Sequence, residues 1–190
     1  MRITGGTHRG RTLKTLRGQQ VRPTSDRVRE ALFSIIAARL PDSAVLDLFA
    51  GTGSLGLEAL SRGAARATFV DKSRQSLDVI RQNVEALGLG ECTKVKRIDV
   101  QAGNPRLAEL EGPFDLVFID PPYRLTERVE RGVGMGGLLE SLWSSGTVDN
   151  EKGLIVLEHD RRSFIADYWD GFGVSDTRTW GDTSLTFFKA

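Results

Sequence analysis

Cys92 is the only cysteine of this 190-residue chain, so no internal disulfide can form, and a free structural thiol is the expected role. Only two histidines are present, His8 and His159, and neither belongs to a cluster with metal-ligand spacing; no metal site is expected. Long apolar runs are missing as well. None approaches the roughly 18 to 20 residues of a membrane span, and the basic, polar start lacks a signal-peptide-like apolar segment. These absences argue against a disulfide-stapled secreted domain and an integral membrane protein, and make the cytoplasm the expected location. There is no low-complexity tract, internal repeat or linker. With 39% hydrophobic and 27% charged residues, the composition is that of an ordinary globular protein, and the length suits one well-buried domain.

Charge is nearly balanced in sum, +1, but not along the chain. Residues 1–40 hold nine Lys or Arg against Asp26 and Glu30, whereas the other 150 hold 17 against 23 acids. A basic front on a mildly acidic body suits a polyanionic partner, because Lys and Arg gain by displacing counterions from phosphates. The same run also suits a solvated face.

The first 40 residues read as a basic extension. Two β-prone pieces around a Gly-rich turn, between Arg2 and Leu16, predict a hairpin. Pro23-Thr-Ser-Asp26 is a helix start, followed by Val28, Leu32, Ile35 and Ile36 at helical spacing, with Arg27 and Arg29 on other faces. From 43 to 190 apolar strands alternate with amphipathic helices: strands over 44–49, 66–70, 93–98, 115–119 and 153–158, helices over 54–62, 73–87 and about 136–145. Alternation of this kind predicts an α/β fold with a mostly parallel sheet covered on both faces. Two strands joined around Trp180-Gly-Asp-Thr183 predict an antiparallel pair at one edge.

Val45 to Gly56 ends the first core strand and opens a helix, with G-x-G-x-x-G at Gly51, Gly53 and Gly56. That strand-turn-helix context lets backbone approach a ligand closely. Asp71 follows about 20 residues on, at the end of the second strand, where a carboxylate can grip two ribose hydroxyls. Asp47, Asp99 and Asp120 also sit at carboxyl ends of strands, the edge at which open α/β sheets bind ligands. The pyrophosphate of NAD is disfavoured beside such carboxylates. The ammonium and sulfonium of S-adenosylmethionine are favoured there, so that is the expected cofactor.

Asp115-Leu-Val-Phe-Ile-Asp-Pro-Pro-Tyr123 is a short strand buried on both faces that stops at an acid, two prolines and an aromatic. Proline has no N–H and restricts the residue before it, so Asp120, Pro121, Pro122 and Tyr123 form a stiff extended turn. An exocyclic amino group is a poor nucleophile because its lone pair is delocalised. The Asp120 carboxylate and the Pro121 carbonyl can both accept from that NH2 and localise the lone pair toward an incoming methyl group. Tyr123 would stack on the target ring.

Together these motifs resemble the class I S-adenosylmethionine-dependent methyltransferases that modify amino groups, whose hallmark is [DNS]-P-P-[YFW]. The similarity extends to the RsmD family of 16S rRNA (guanine-N2)-methyltransferases, through Arg2-Ile-Thr-Gly-Gly, Arg9-Gly-Arg11, the block from Arg22-Pro-Thr-Ser-Asp to Phe33, Leu46 to Ala64, Asp120 to Tyr123, and Gly181-Asp-Thr183. The resemblance implies a Rossmann-like seven-stranded sheet with an N-terminal hairpin extension. It also implies methylation of a guanine N2 in the 16S rRNA of the 30S subunit; separately, a monomer is expected. By motif position, Asp47, Phe49, Ala50, Gly51, Thr52 and Gly53 would line the methionine part of the cofactor, Asp71 with Lys72 the ribose, and Asp99 with Val100 the adenine. Arg9, Arg11, Arg22, Thr24, Arg27 and Arg29 would face the RNA, the arginines near the helix start holding either phosphates or a helix salt-bridge network.

One stretch departs from the family pattern. Residues 124–137 are long and glycine-rich, and a mobile loop over the site is expected. The alternatives are a methyltransferase acting on adenine or cytosine amino groups of DNA or on a protein glutamine, an NAD oxidoreductase, and a noncatalytic RNA-binding module. A separate DNA target-recognition domain does not fit into this length.

Overall fold

The computed structural model describes residues 1–16, 26–101 and 107–190. Its strands form one mostly parallel seven-stranded sheet with helices on both faces, in the order β3-β2-β1-β4-β6-β9-β8, and a separate two-stranded sheet, β5-β7. Two compact units make up the chain, Met1–Ile98 and Asp99–Ala190. Among the described residues no helix is long and apolar enough to cross a membrane.

The first unit holds α1 (Asp26–Ile35), β1 (Ala44–Leu48), α2 (Ser54–Ser61), β2 (Arg66–Asp71), α3 (Arg74–Leu87) and β3 (Thr93–Arg97). All five residues of β1 are buried, as expected of a strand covered on both faces. It pairs in parallel with β2, and β2 with β3. β3 carries Lys94, Lys96 and Arg97, the kind of charge that keeps an edge strand from pairing further. Helix α3 is bounded as its sequence demands: Ser73 caps the start by accepting from the Ser76 N–H, and Gly88 ends it at φ 68. Beside it Cys92 is half-buried; its thiol donates to the Leu89 carbonyl, and burial pushes its pKa up, away from a reactive thiolate.

The predicted hairpin forms as a short pair around the antiparallel bridge of Arg2 with Thr12: the Ile3 N–H donates to the Arg11 carbonyl at 3.0 Å, the Gly10 N–H to the Ile3 carbonyl at 2.9 Å and the Leu13 N–H to the Met1 carbonyl at 3.0 Å, and its turn bonds to α2. Thr7 N–H donates to the Ser61 carbonyl at 2.7 Å, and His8 N–H to the Ser61 hydroxyl at 2.9 Å. Ile3 and Leu13 are buried beneath this strap.

The second unit holds β4 (Leu116–Ile119), β5 (Arg128–Val129), α4 (Gly134–Ser144), β6 (Leu154–Asp160), β7 (Phe164–Ile165), β8 (Gly173–Trp180) and β9 (Thr183–Lys189). β4 and β6 run parallel, while β9 pairs antiparallel with both β6 and β8. Its core is aromatic. Trp143 stacks on Phe172 with ring centroids 4.8 Å apart, Trp169 stacks on Phe172 at 5.4 Å, and Phe188 meets Trp169 edge-on.

Residues 124–137, expected as a mobile loop, are instead built into this unit as a short turn, β5 and the first turn of α4. Glu140 of α4 accepts from the Gly132 N–H at 2.8 Å and from Arg131, and Gly136 packs so closely on the Glu130 carbonyl that a Cβ would overlap it. Gly136 thus serves close packing, whereas Gly132 (φ 79) and Gly134 (φ 51) supply left-handed backbone.

His159 on β6 is 3% exposed. Its Nδ1–H donates to the Asp160 carbonyl at 2.9 Å, which leaves Nε2 to accept from the Thr186 hydroxyl at 2.8 Å. Burial pushes its pKa down. The unfolded chain therefore takes up the proton first as pH falls below about 6.5. Stability contributed by neutral His159 is complete above that pH and falls by up to about 1.4 kcal/mol per pH unit until the folded-state ring titrates. Urea melts at pH 7.5 and 5.5 should show this loss, with a shallower pH slope for His159→Gln.

Candidate active site

In the first unit, the turn from β1 into α2 takes left-handed backbone at three alternate residues: Phe49 (φ 59), Gly51 (φ 55) and Gly53 (φ 79). Glycine tolerates that region; phenylalanine does so only at a cost of about 1–3 kcal/mol, a strain that clusters at ligand sites. Three side chains hold the turn in shape. Asp71 Oδ2, at the end of β2, accepts from the Gly51 N–H at 2.9 Å, and its Oδ1 accepts from the Ser73 N–H at 2.8 Å. Asn83 of α3, 2% exposed, donates to the Thr52 carbonyl at 3.0 Å. Asp47 Oδ2 accepts from the Gly56 N–H at 2.9 Å.

That last bond alters the reading of Asp47. At 1% exposure it is not a carboxylate lining open space. It satisfies an orphan amide in the first turn of α2, whose N-cap residue Gly53 has no side chain to do so. Gly56 is needed here because a Cβ would collide with the Phe69 ring, the close helix–sheet packing expected of the third glycine. Asp71 keeps one acceptor direction on each oxygen after its two amide bonds, enough for a pair of hydroxyls. Lys72 is exposed and its carbonyl accepts from Arg97.

Asn83 escaped the sequence reading, although a polar residue among Leu77, Ile80, Val84 and Leu87 on the buried face of α3 is a visible signal. Besides Thr52 it pairs with the backbone of Lys14, accepting from its N–H at 2.8 Å and donating to its carbonyl at 3.2 Å. One buried amide thus ties the N-terminal strap to the glycine-rich turn.

The basic residues separate into two kinds. Arg9, Arg11 and Arg27 are exposed, with Arg11 also donating to the Ala86 carbonyl. Arg22 and Thr24 lie outside the described residues. Arg29, expected on a face other than that of Val28, Leu32, Ile35 and Ile36, is 0% exposed and belongs to the salt-bridge alternative. Its Nη2 donates to the Arg2 carbonyl at 2.7 Å and to Asp26 at 2.8 Å, and its Nε lies 3.7 Å from Glu58. Glu58, also 0% exposed, accepts from Arg62 and from both the N–H and hydroxyl of Thr4, each at 2.8 Å.

In the second unit, Asp99 is exposed and accepts from the Gln101 N–H, while Val100 is buried. All of β4 is buried, and the strand stops at half-buried Asp120. Pro121 is buried and Pro122 exposed. The Pro122 carbonyl accepts from the Leu125 N–H at 2.9 Å, closing a tight turn over Tyr123–Leu125. Tyr123 is half-exposed, and its hydroxyl lies 3.0 Å from Thr183 Oγ1. The strand ends at Asp120 as the prolines lead one to expect, but the extended backbone stops at Pro122 and Tyr123 opens a 3-10 turn.

Comparison with known proteins follows the same residues. The family model described as "Conserved hypothetical protein 95" matches residues 1–189. A Bacillus subtilis (strain 168) protein, YlbH, named as a candidate rRNA methyltransferase, is 33% identical over 189 residues, all of this chain and 98% of that protein. The Escherichia coli (strain K12) ribosomal RNA small subunit methyltransferase D is 42% identical over 124 residues, 65% of this chain and 61% of its own length. A solved Escherichia coli structure of a candidate methyltransferase, YhhF, superposes with a TM-score of 0.78 at 31% identity, covering 99% of this chain and 96% of that one. With the family model spanning nearly every residue, the chain belongs to the Conserved hypothetical protein 95 family, the RsmD family of methyltransferases.

Proposed function

We propose that this protein uses S-adenosylmethionine to methylate the exocyclic N2 amino group of a guanine in 16S rRNA, acting on the 30S subunit as a cytoplasmic monomer without a metal. The observation that carries the reading is the Asp120–Tyr123 turn at the end of a fully buried strand. Names of relatives support an rRNA substrate.

The first unit's residues fit the cofactor. Left-handed backbone at Phe49 and Gly51, both half-buried, shapes the turn, Asp71 retains acceptors for two ribose hydroxyls, and the turn is already braced by Asp71 and Asn83. Lys72, Asp99 and Val100 are assigned to the ribose and adenine by motif position. S-adenosylmethionine, when bound, supplies an electrophilic methyl group on a sulfonium. Asp120 and the Pro121 carbonyl accept hydrogen bonds from the target NH2 and aim its lone pair, and Tyr123 stacks on the base. The target nitrogen would form one bond to the methyl carbon as the methyl–sulfur bond breaks, with the electron pair left on sulfur as a neutral thioether, and would give up one proton, to Asp120 or to water. Most of the acceleration assigned to the chain is positional. Exposed Arg9, Arg11 and Arg27, with Arg22 and Thr24 on sequence grounds, are assigned to RNA phosphates.

Methyl transfer from labelled cofactor to 30S subunits lacking the modification, with naked rRNA and DNA in parallel and nucleoside mass spectrometry as the readout, tests the reading. N2-methylguanosine on 30S is the expected product; label in another nucleoside moves the substrate, and no transfer overturns the proposal. A narrower expectation concerns the brace: Asn83→Leu should weaken S-adenosylmethionine binding about tenfold by calorimetry, since an unpaired Thr52 carbonyl loosens the turn.

A further inference from the structure

We propose that Thr183 is a positioning residue for the target base, acting through Tyr123. The inference rests on the reading of Asp120–Tyr123 as the amine-holding turn and gives a role to the Gly181-Asp-Thr183 motif, which that reading leaves unused.

Tyr123 is held at both ends. Its carbonyl accepts from the Thr126 N–H at 2.9 Å and from the Thr126 hydroxyl at 3.0 Å, and Thr126 is 0% exposed. Its hydroxyl meets Thr183 Oγ1 at 3.0 Å. Thr183 in turn has little freedom. It is 7% exposed, it opens β9, and its backbone is paired on one side with Asp160 of β6 and on the other with Trp180 of β8. Gly181, at φ 63, makes the tight turn that delivers it, and the Asp182 carbonyl accepts from the Arg161 N–H at 2.9 Å.

A half-exposed tyrosine does not need a protein partner for its hydroxyl, because water serves. What the Thr183 bond adds is orientation: with the backbone and the far end of the ring both fixed, the ring plane is set before a base arrives. A stacking platform that is already aligned loses less entropy on binding, and a misaligned one displaces the amine from its line of attack.

Thr183→Val keeps the shape of the side chain and removes the hydroxyl. It is expected to lower kcat/KM for 30S about three- to tenfold, the range of a single hydrogen bond, with S-adenosylmethionine affinity unchanged. Thr183→Ser should restore the rate to near that of the parent protein. Tyr123→Phe should show the same loss, and the Tyr123→Phe/Thr183→Val double variant no further loss. Parent-like kcat/KM in Thr183→Val, or in Tyr123→Phe should Thr183→Val fail to fold, overturns the inference while inactivity of Tyr123→Ala leaves the reading of the turn standing. Full activity of Tyr123→Ala overturns both.

Discussion

Asp120→Ala is expected to lower methyl transfer at least about a hundredfold while S-adenosylmethionine affinity stays within a few-fold. A hydrogen bond to a charged group is worth about 1.5–3 kcal/mol, or roughly ten- to 150-fold in rate when it is made in the transition state. Displacement of the amine once its acceptor is gone adds to that loss. The substitution should spare the fold, because Asp120 is half-buried at the end of β4 and all four residues of that strand stay in the core. Asp120→Asn separates charge from hydrogen bonding. It keeps one acceptor oxygen, and the family hallmark admits Asn at this position, so an intermediate loss of about tenfold is expected. Single-turnover transfer together with calorimetry of cofactor binding measures both quantities. Full activity in Asp120→Ala would remove Asp120 from the chemistry.

Arg29→Ala should act on stability instead, lowering the unfolding free energy by about 3–5 kcal/mol in urea melts. Removing one partner of a buried pair leaves the other charge without full compensation, and Glu58 is fully buried. The lower end of that range is favoured, since Glu58 keeps Arg62 and Thr4. Two Arg29 nitrogens, Nε and Nη1, are already buried without hydrogen bonds, which reduces the loss further. Lost contacts to the Arg2 carbonyl and Asp26 would also loosen the N-terminal strap. By contrast, Arg9→Ala and Arg27→Ala, both at exposed positions, should stay within about 0.5 kcal/mol of the parent. Were Arg29→Ala as stable as the parent but weaker on RNA, the guanidinium would be a phosphate contact.

These two residues stand on either side of what the sequence makes legible. Asp120 could be read because everything that defines its setting is local: a four-residue apolar strand, then two prolines that stop the ladder. The same holds for α3, whose Ser73 and Gly88 bound it in the sequence as in the structure, and for the Gly51 to Gly56 turn. Period and punctuation are short-range properties, and so are the elements they predict.

Between RNA phosphates and a salt-bridge network the sequence offers no choice for Arg29, because its buried partner Glu58 lies 29 residues away. That Asp47 also accepts from the Gly56 N–H in the first turn of α2 is announced by nothing in its sequence neighbourhood. The glycines of 134–137 read as mobility; only the fold shows that Gly136 permits the Glu130 carbonyl to pack against it and that Gly134 takes a left-handed turn. β5 and β7, two residues each and paired across 36 positions, have no periodicity to detect.

By itself, then, the sequence determined the alternating α/β pattern, the turns at the strand ends and the chemical character of the Asp120–Tyr123 turn. Tertiary structure alone decided which charges are buried, which amides brace the glycine-rich turn, and that Thr183, 60 residues from Tyr123, holds its hydroxyl. The physical reason is that backbone preference and apolar period act over a few residues, whereas the free energy of a polar side chain depends on whichever distant group the fold brings to meet it.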